Sequence, residues 1–318
     1  MPENLEKKIR KNLLLTFAYY GAEEAPLTLA QVTRYLFSRE KFEDLSFFDF
    51  RNELNFLKSK NFIRETKGLF FLNKPEKKFS WKTFLKKEKE SQIKINEVRK
   101  ALKVFSFIPF LKNIFICGSV ARKTSSEKSD IDFLIIAGKG RVWLVRFCLT
   151  IFSFLLGKKT SSFGERKDKF CLNHYRAAGN ETIEKELQDI YSASEYTRML
   201  NLYASENQND FLGGNKEWMK NFEPNFDSIK PPLFHFPNSK KTKKTLERIL
   251  GKGGGKALEN LLKKIQKMKI KINLERNGFS RGARLVLKNN VIMFHLSPKS
   301  PVVMKKVRTN LEDMRVIS

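Results

Sequence analysis

Apolar residues recur every three to four positions over residues 3–20, with Leu5, Ile9, Leu13 and Phe17 on one stripe, which predicts an amphipathic helix. Pro26-Leu27-Thr28 opens a second predicted helix over 29–37, with Thr28 as its N-cap. A third is predicted over 46–60, its apolar face carrying Phe47, Phe50, Leu54 and Leu57 and its polar side Arg51, Asn55 and Lys58. Two short apolar runs, 62–64 and 69–72, flank Lys67-Gly68 and read as a hairpin. A basic stretch with Trp81 and Phe84 follows and reads as a linker, and a helix is predicted over 89–105.

The middle of the chain changes period. Ile114 to Cys117 is a short apolar strand, and Asp130 to Ala137 is a second. Residues 140–157 are apolar almost throughout. A membrane span needs about 20 apolar residues; this run is shorter and contains Arg146, so a buried core helix is expected. Residues 169–176 read as a strand, 182–203 as one long helix, and 207–238, rich in Gly and Pro, as loops and short helices. Residues 240–271 are basic and amphipathic, interrupted at Gly253-Gly254-Gly255. The order of residues there is not that of a phosphate-binding P-loop, so a hinge is expected. Residues 283–296 predict a hairpin around Asn289-Asn290, with Phe294 and Leu296 inward and His295 outward. The fold class is α+β.

With 318 residues there is room for two or three domains. The net charge of +28 implies a polyanionic partner, nucleic acid before an anionic membrane. Three cysteines, Cys117, Cys148 and Cys171, all lie inside apolar runs, and no Cys/His cluster has zinc spacing. That pattern argues against a disulfide framework. The charged, polar opening residues are unlike a signal peptide, so a cytoplasmic protein is expected.

The candidate chemistry lies between the two central strands. Residues two apart on a strand share a face, so Asp130 and Asp132 point together while Ile131 and Phe133 enter a core. Adjacent carboxylates repel unless a cation lies between them, and Mg²⁺ (or Mn²⁺) is the simplest choice. Gly118 admits close backbone approach, Ser119 brings a hydroxyl, and the helical turn they begin offers N–H groups to a phosphate. Arg122 and Lys123 are candidate supporting charges.

The run Cys117-Gly118-Ser119, ten residues, then Asp130-Ile131-Asp132-Phe133 resembles the DNA polymerase beta-like nucleotidyltransferase superfamily. Lys123 departs from it, because many members carry Gly there. The resemblance implies a small mixed sheet flanked by helices, and metal-dependent transfer of an NMP from an NTP to a hydroxyl. It also implies a third carboxylate from a later strand. The corresponding position here is Asn173, a neutral metal ligand at best; Asp168 lies before that strand, and His174 is more in keeping with a structural role. Three helices and a hairpin look like a winged-helix module. The expected division is a winged-helix-like domain at 1–75, a basic linker at 76–94, a catalytic domain at 95–205 and a basic, mainly helical region at 206–318 ending in a hairpin. Charge favours a nucleic acid acceptor, tRNA or DNA. A protein acceptor, as in toxin–antitoxin relatives, and a catalytically degenerate regulator that binds nucleotide or nucleic acid stay open. No membrane partner is expected.

Overall fold

The computed structural model describes residues 2–39, 46–74, 79–158, 169–205, 210–227, 229–237, 239–251, 253–277, 284–295 and 299–317. Its N-terminal part contains α1 (Pro2–Ala22), β1 (Leu27–Thr28), α2 (Leu29–Arg34), α3 (Phe47–Ser59), β2 (Ile63–Thr66) and β3 (Leu69–Leu72). Thr28 and Gln31 cap α2 reciprocally: the Gln31 N–H donates to Thr28 Oγ1 at 3.3 Å, and the Thr28 N–H donates to Gln31 Oε1 at 2.9 Å. The predicted hairpin forms, with Lys67 and Gly68 both at positive φ, and β3 lies between β1 and β2. Glu53 of α3 is buried and held by Arg10 at 2.7 Å. Arg51 and Asn55 remain exposed.

α4 (Trp81–Phe105) begins on the Ser80 cap, so most of the expected linker is helix. Its leading aromatics are anchored: Phe79 stacks on Phe71 of β3 with ring centroids 4.3 Å apart, and Trp81 and Phe84 gather around Phe79.

The central sheet is built from β4 (Leu111–Ile116), β5 (Ile131–Ala137), β6 (Phe170–Ala177), β7 (Leu200–Ala204) and the hairpin β8 (Arg284–Leu287) and β9 (Val291–His295). Its order is β7-β4-β5-β6-β9-β8. Only β5 and β6 run parallel, joined by the crossover containing α6 (Val142–Leu155); the other pairs are antiparallel. Between β4 and β5 lies the single turn α5 (Gly118–Ala121). The remaining helices are α7 (Ile190–Arg198), α8 (Asp210–Lys220), α9 (Ser239–Gly251), α10 (Gly253–Asn277) and α11 (Ser300–Ile317).

Side chains alternate between two cores, as strand geometry requires. Ile114, Ile116, Phe133 and Ile135 pack with Val98 of α4, Val145 of α6 and Leu262 of α10. Phe115, Leu134 and Ile136 pack with Ala193 of α7 and Phe211 and Met219 of α8. The sheet is therefore a middle layer in an α+β fold.

Several elements differ from the sequence reading. The long helix expected over 182–203 is a 3₁₀ turn (Lys185–Leu187), then α7, then strand β7. Met199 takes an extended backbone, and Leu202 enters the core from β7. Within 207–238, α8 is one short helix and passes through Gly213-Gly214. The basic stretch divides into two helices here, α9 ending at Gly251 and the glycines at 253–255 forming the first turn of α10. α6 is buried on one side through Val142, Val145 and Leu149, yet exposed on the other, so it is only half a core helix. No helix among the described residues is long and apolar enough to cross a membrane.

α11 joins the N-terminal part. Val303, Val307 and Met314 share a core with Phe17 and Leu13 of α1, and Asn310 Nδ2 donates to the Ala18 carbonyl at 2.7 Å. At the junction between this part and the sheet, Glu223 is fully buried and accepts from Tyr20 Oη at 3.3 Å. Burial pushes its carboxyl up to about 7. Its contribution to stability is fully present below the ordinary carboxylate value. As pH rises toward 7 the unfolded chain sheds a proton that the folded chain keeps, so that contribution is lost. Glu223→Gln is expected to remove this slope, raising stability at pH 8 by about 1–3 kcal/mol while changing little at pH 4. Urea melts at the two pH values check this.

Candidate active site

β4 ends at Ile116, and the N–H of the next residue, Cys117, donates to the Asp132 carbonyl at 3.0 Å, so the turn and the acid strand are locked side by side. Gly118 then takes φ +67°, and a Cβ there would sit 2.9 Å from Asp132 Oδ2. Only glycine brings the backbone this close to the carboxylate without strain. Ser119 follows, half-buried, in the first turn of α5.

Asp130 immediately precedes β5 and Asp132 lies on it; both are half-buried, while Ile131 and Phe133 are buried in the core. Donor atoms of Asp130, Asp132 and Cys171 all lie within 4.8 Å of one another. The loop leading to Asp130 is held from below by α4. Lys94, fully buried, donates to the Ser129 carbonyl at 3.0 Å, and Ser91 Oγ lies 2.9 Å from Ser125 Oγ.

The third side chain is set by sheet register. Asp132 pairs with Cys171 and Leu134 with His174, with an irregularity between. Asn173 falls in that irregularity. The register brings Cys171 beside the acids. Burial pushes the Cys171 thiol up, and the two aspartates push it further. His174 is buried, accepts from Arg176 Nε at 3.3 Å and faces Tyr196 in the core. Asp168 lies outside the described residues.

Two expected phosphate partners are engaged elsewhere. Arg122 is buried between two carboxylates, Glu23 Oε2 at 2.6 Å and Glu195 Oε1, so its guanidinium ties α5 to the end of α1 and to α7 instead of facing solvent. Lys123 is exposed and pairs with Glu88 at 2.7 Å. It takes φ +60°, which accounts physically for Gly at this position in resembling proteins.

Sequence reasoning missed Lys299. It stands just before α11, with its ammonium 3.7 Å from Asp132 Oδ2 and its side chain 58 % exposed. Asp132 holds that ammonium above the ordinary lysine value. Nothing local marks this residue within a lysine-rich tail. The Tyr191 hydroxyl, pushed up to about 12 mainly by burial, lies in the field of Arg122, Lys299 and Asp132.

No curated protein and no solved structure matches the chain. Residues 95–196 match the family model described as a nucleotidyltransferase domain. From the middle of α4 to the last turn of α7, with its Gly-Ser turn and paired acids on neighbouring strands, the chain carries a nucleotidyltransferase domain consistent with the DNA polymerase beta-like superfamily.

Proposed function

We propose that the chain moves an NMP from an NTP to a hydroxyl acceptor, with a divalent ion and with nucleic acid as the acceptor class. The observation that carries this is the convergence of Asp130, Asp132, the Gly118 turn and Lys299 at one end of β5. The donor set fits a hard divalent cation: two carboxylates whose oxygens lie within 4.8 Å of each other, with Asn173 further along β6 as a neutral oxygen donor. Such an ion, when bound, would neutralise the carboxylate pair and polarise phosphate oxygens.

The chain's own groups supply the rest. Gly118 leaves room for a phosphate against the backbone, and the first-turn N–H groups with Ser119 Oγ donate to it. Lys299 brings a mobile positive charge to the phosphates once the aspartates have another partner, and Lys123 adds exposed charge at the rim. The acceptor hydroxyl attacks the α-phosphorus as pyrophosphate leaves, so the work is positioning and charge neutralisation. The net charge of +28 supports a nucleic acid acceptor, as do the exposed Arg51 and Asn55 on a winged-helix-like N-terminal domain.

Label transfer from each α-labelled NTP to pooled tRNA, DNA or lysate protein, with Mg²⁺ or Mn²⁺, tests the reading. Transfer to nucleic acid is expected, and absence of transfer to any acceptor overturns it. One feature favours a second reading, a nucleotide-binding regulator: a protonated thiol stands where a third acid would strengthen metal binding. Lys299→Ala bears on both. If Lys299 meets the triphosphate, nucleotide affinity falls about tenfold while Mn²⁺ alone binds more tightly, because a competing ammonium is gone. Unchanged affinity for both ligands removes Lys299 from the site.

A further inference from the structure

α6 shows a continuous apolar strip to solvent. Phe147 and Ile151 are over a third exposed, and Phe154 and Leu155 are 67 % and 70 % exposed. α10 lies against this helix: Gln266 accepts from Arg146 at 2.6 Å and donates to the Trp143 carbonyl at 2.8 Å. α10 has its own second apolar face. Leu262 and Ile270 point into the core, while Leu261, Ile265, Met268 and Ile272, spaced on one helical stripe, are all between 41 % and 61 % exposed. Helical spacing sets Lys264 and Lys271 along one border of that stripe and Lys269 along the other, all exposed.

Large apolar side chains shown together by two touching helices mark a contact surface. The lysines decide what it fits. A second copy of the chain would press two lysine-bordered faces together in a molecule already at +28. A nucleic acid would satisfy the lysines but leave Phe154, Leu155 and Met268 in water. An anionic bilayer surface satisfies both, taking the apolar stripe below the headgroups and pairing the lysines with phosphates. We propose that the α6–α10 face seats the protein on anionic membranes as a peripheral, non-spanning contact.

The test is sedimentation of the full chain, without nucleotide, with vesicles of phosphatidylcholine alone or mixed with phosphatidylserine. Binding to the mixed vesicles is expected, weakened by salt and at least about tenfold stronger than to the neutral ones. Met268→Asp and Phe154→Asp should each cut binding by about tenfold or more. Lys264→Glu should cut it about fivefold or more. All three positions are exposed, so the melting temperatures should stay near that of the parent. Equal binding to both vesicle types, indifference to these substitutions, or no sedimentation overturns the proposal. A dimer in light scattering that Met268→Asp dissolves also overturns it, assigning the face to a second copy.

Discussion

Asp132→Asn is expected to lower label transfer by at least about a thousandfold while leaving the fold intact. The substitution keeps the shape of the side chain and removes its charge. A carboxylate pair that loses one charge binds a divalent ion far less well, and phosphate charge is then left uncompensated as pyrophosphate departs. The Lys299 pair is lost too, but it is largely solvated and its removal should cost less than about 1 kcal/mol. Melting temperature and circular dichroism should therefore match the parent while activity collapses. Asp130→Asn should behave alike, since the two carboxylates share one site. Transfer persisting in either variant would place the chemistry elsewhere.

Arg122→Met should destabilise the fold strongly, by about 3–5 kcal/mol in urea melts. Methionine fills the space but leaves Glu23 and Glu195 without their cation, and both carboxylates are largely buried. Adding Glu23→Gln and Glu195→Gln should recover much of the loss, because the penalty is the stranded charge rather than the missing attraction. A loss that persists in the triple variant would point to packing instead. Since Arg122 ends α5, loosening it should also let the Gly118 turn drift from Asp132.

What could be read from the sequence was what neighbouring residues determine. The turn from Cys117 to Ser119, the acid pair and the apolar partners Ile131 and Phe133 all follow from local spacing, and the structure puts them where alternation predicts. The Thr28 cap and the Lys67-Gly68 turn are local in the same sense. What failed depends on distant parts of the chain. Leu200–Ala204 continues a helical pattern, yet it becomes a strand because β4 offers an open edge. Cys171 comes beside the acids through a pairing of β5 with β6 that no composition reveals. Arg122 reads as a phosphate ligand until Glu23 and Glu195 are brought to it from 99 residues before and 73 residues after. Lys299 is one among 62 basic residues, and only the docking of α11 on α1 singles it out.

The order of strands in the central sheet limits how this protein can be dissected. The stretch that matches the nucleotidyltransferase family, 95–196, stops before β7 and contains neither β9 nor β8. Excised by itself, it would carry β4 and β6 as two unpaired borders, each able to recruit the border of another molecule. Such a fragment should precipitate rather than turn over nucleotide. Strands from later in the polypeptide, β7 on one border and the β8–β9 hairpin on the other, must close around the middle before the sheet is sealed, so the working unit is the assembled chain and not a portable cassette.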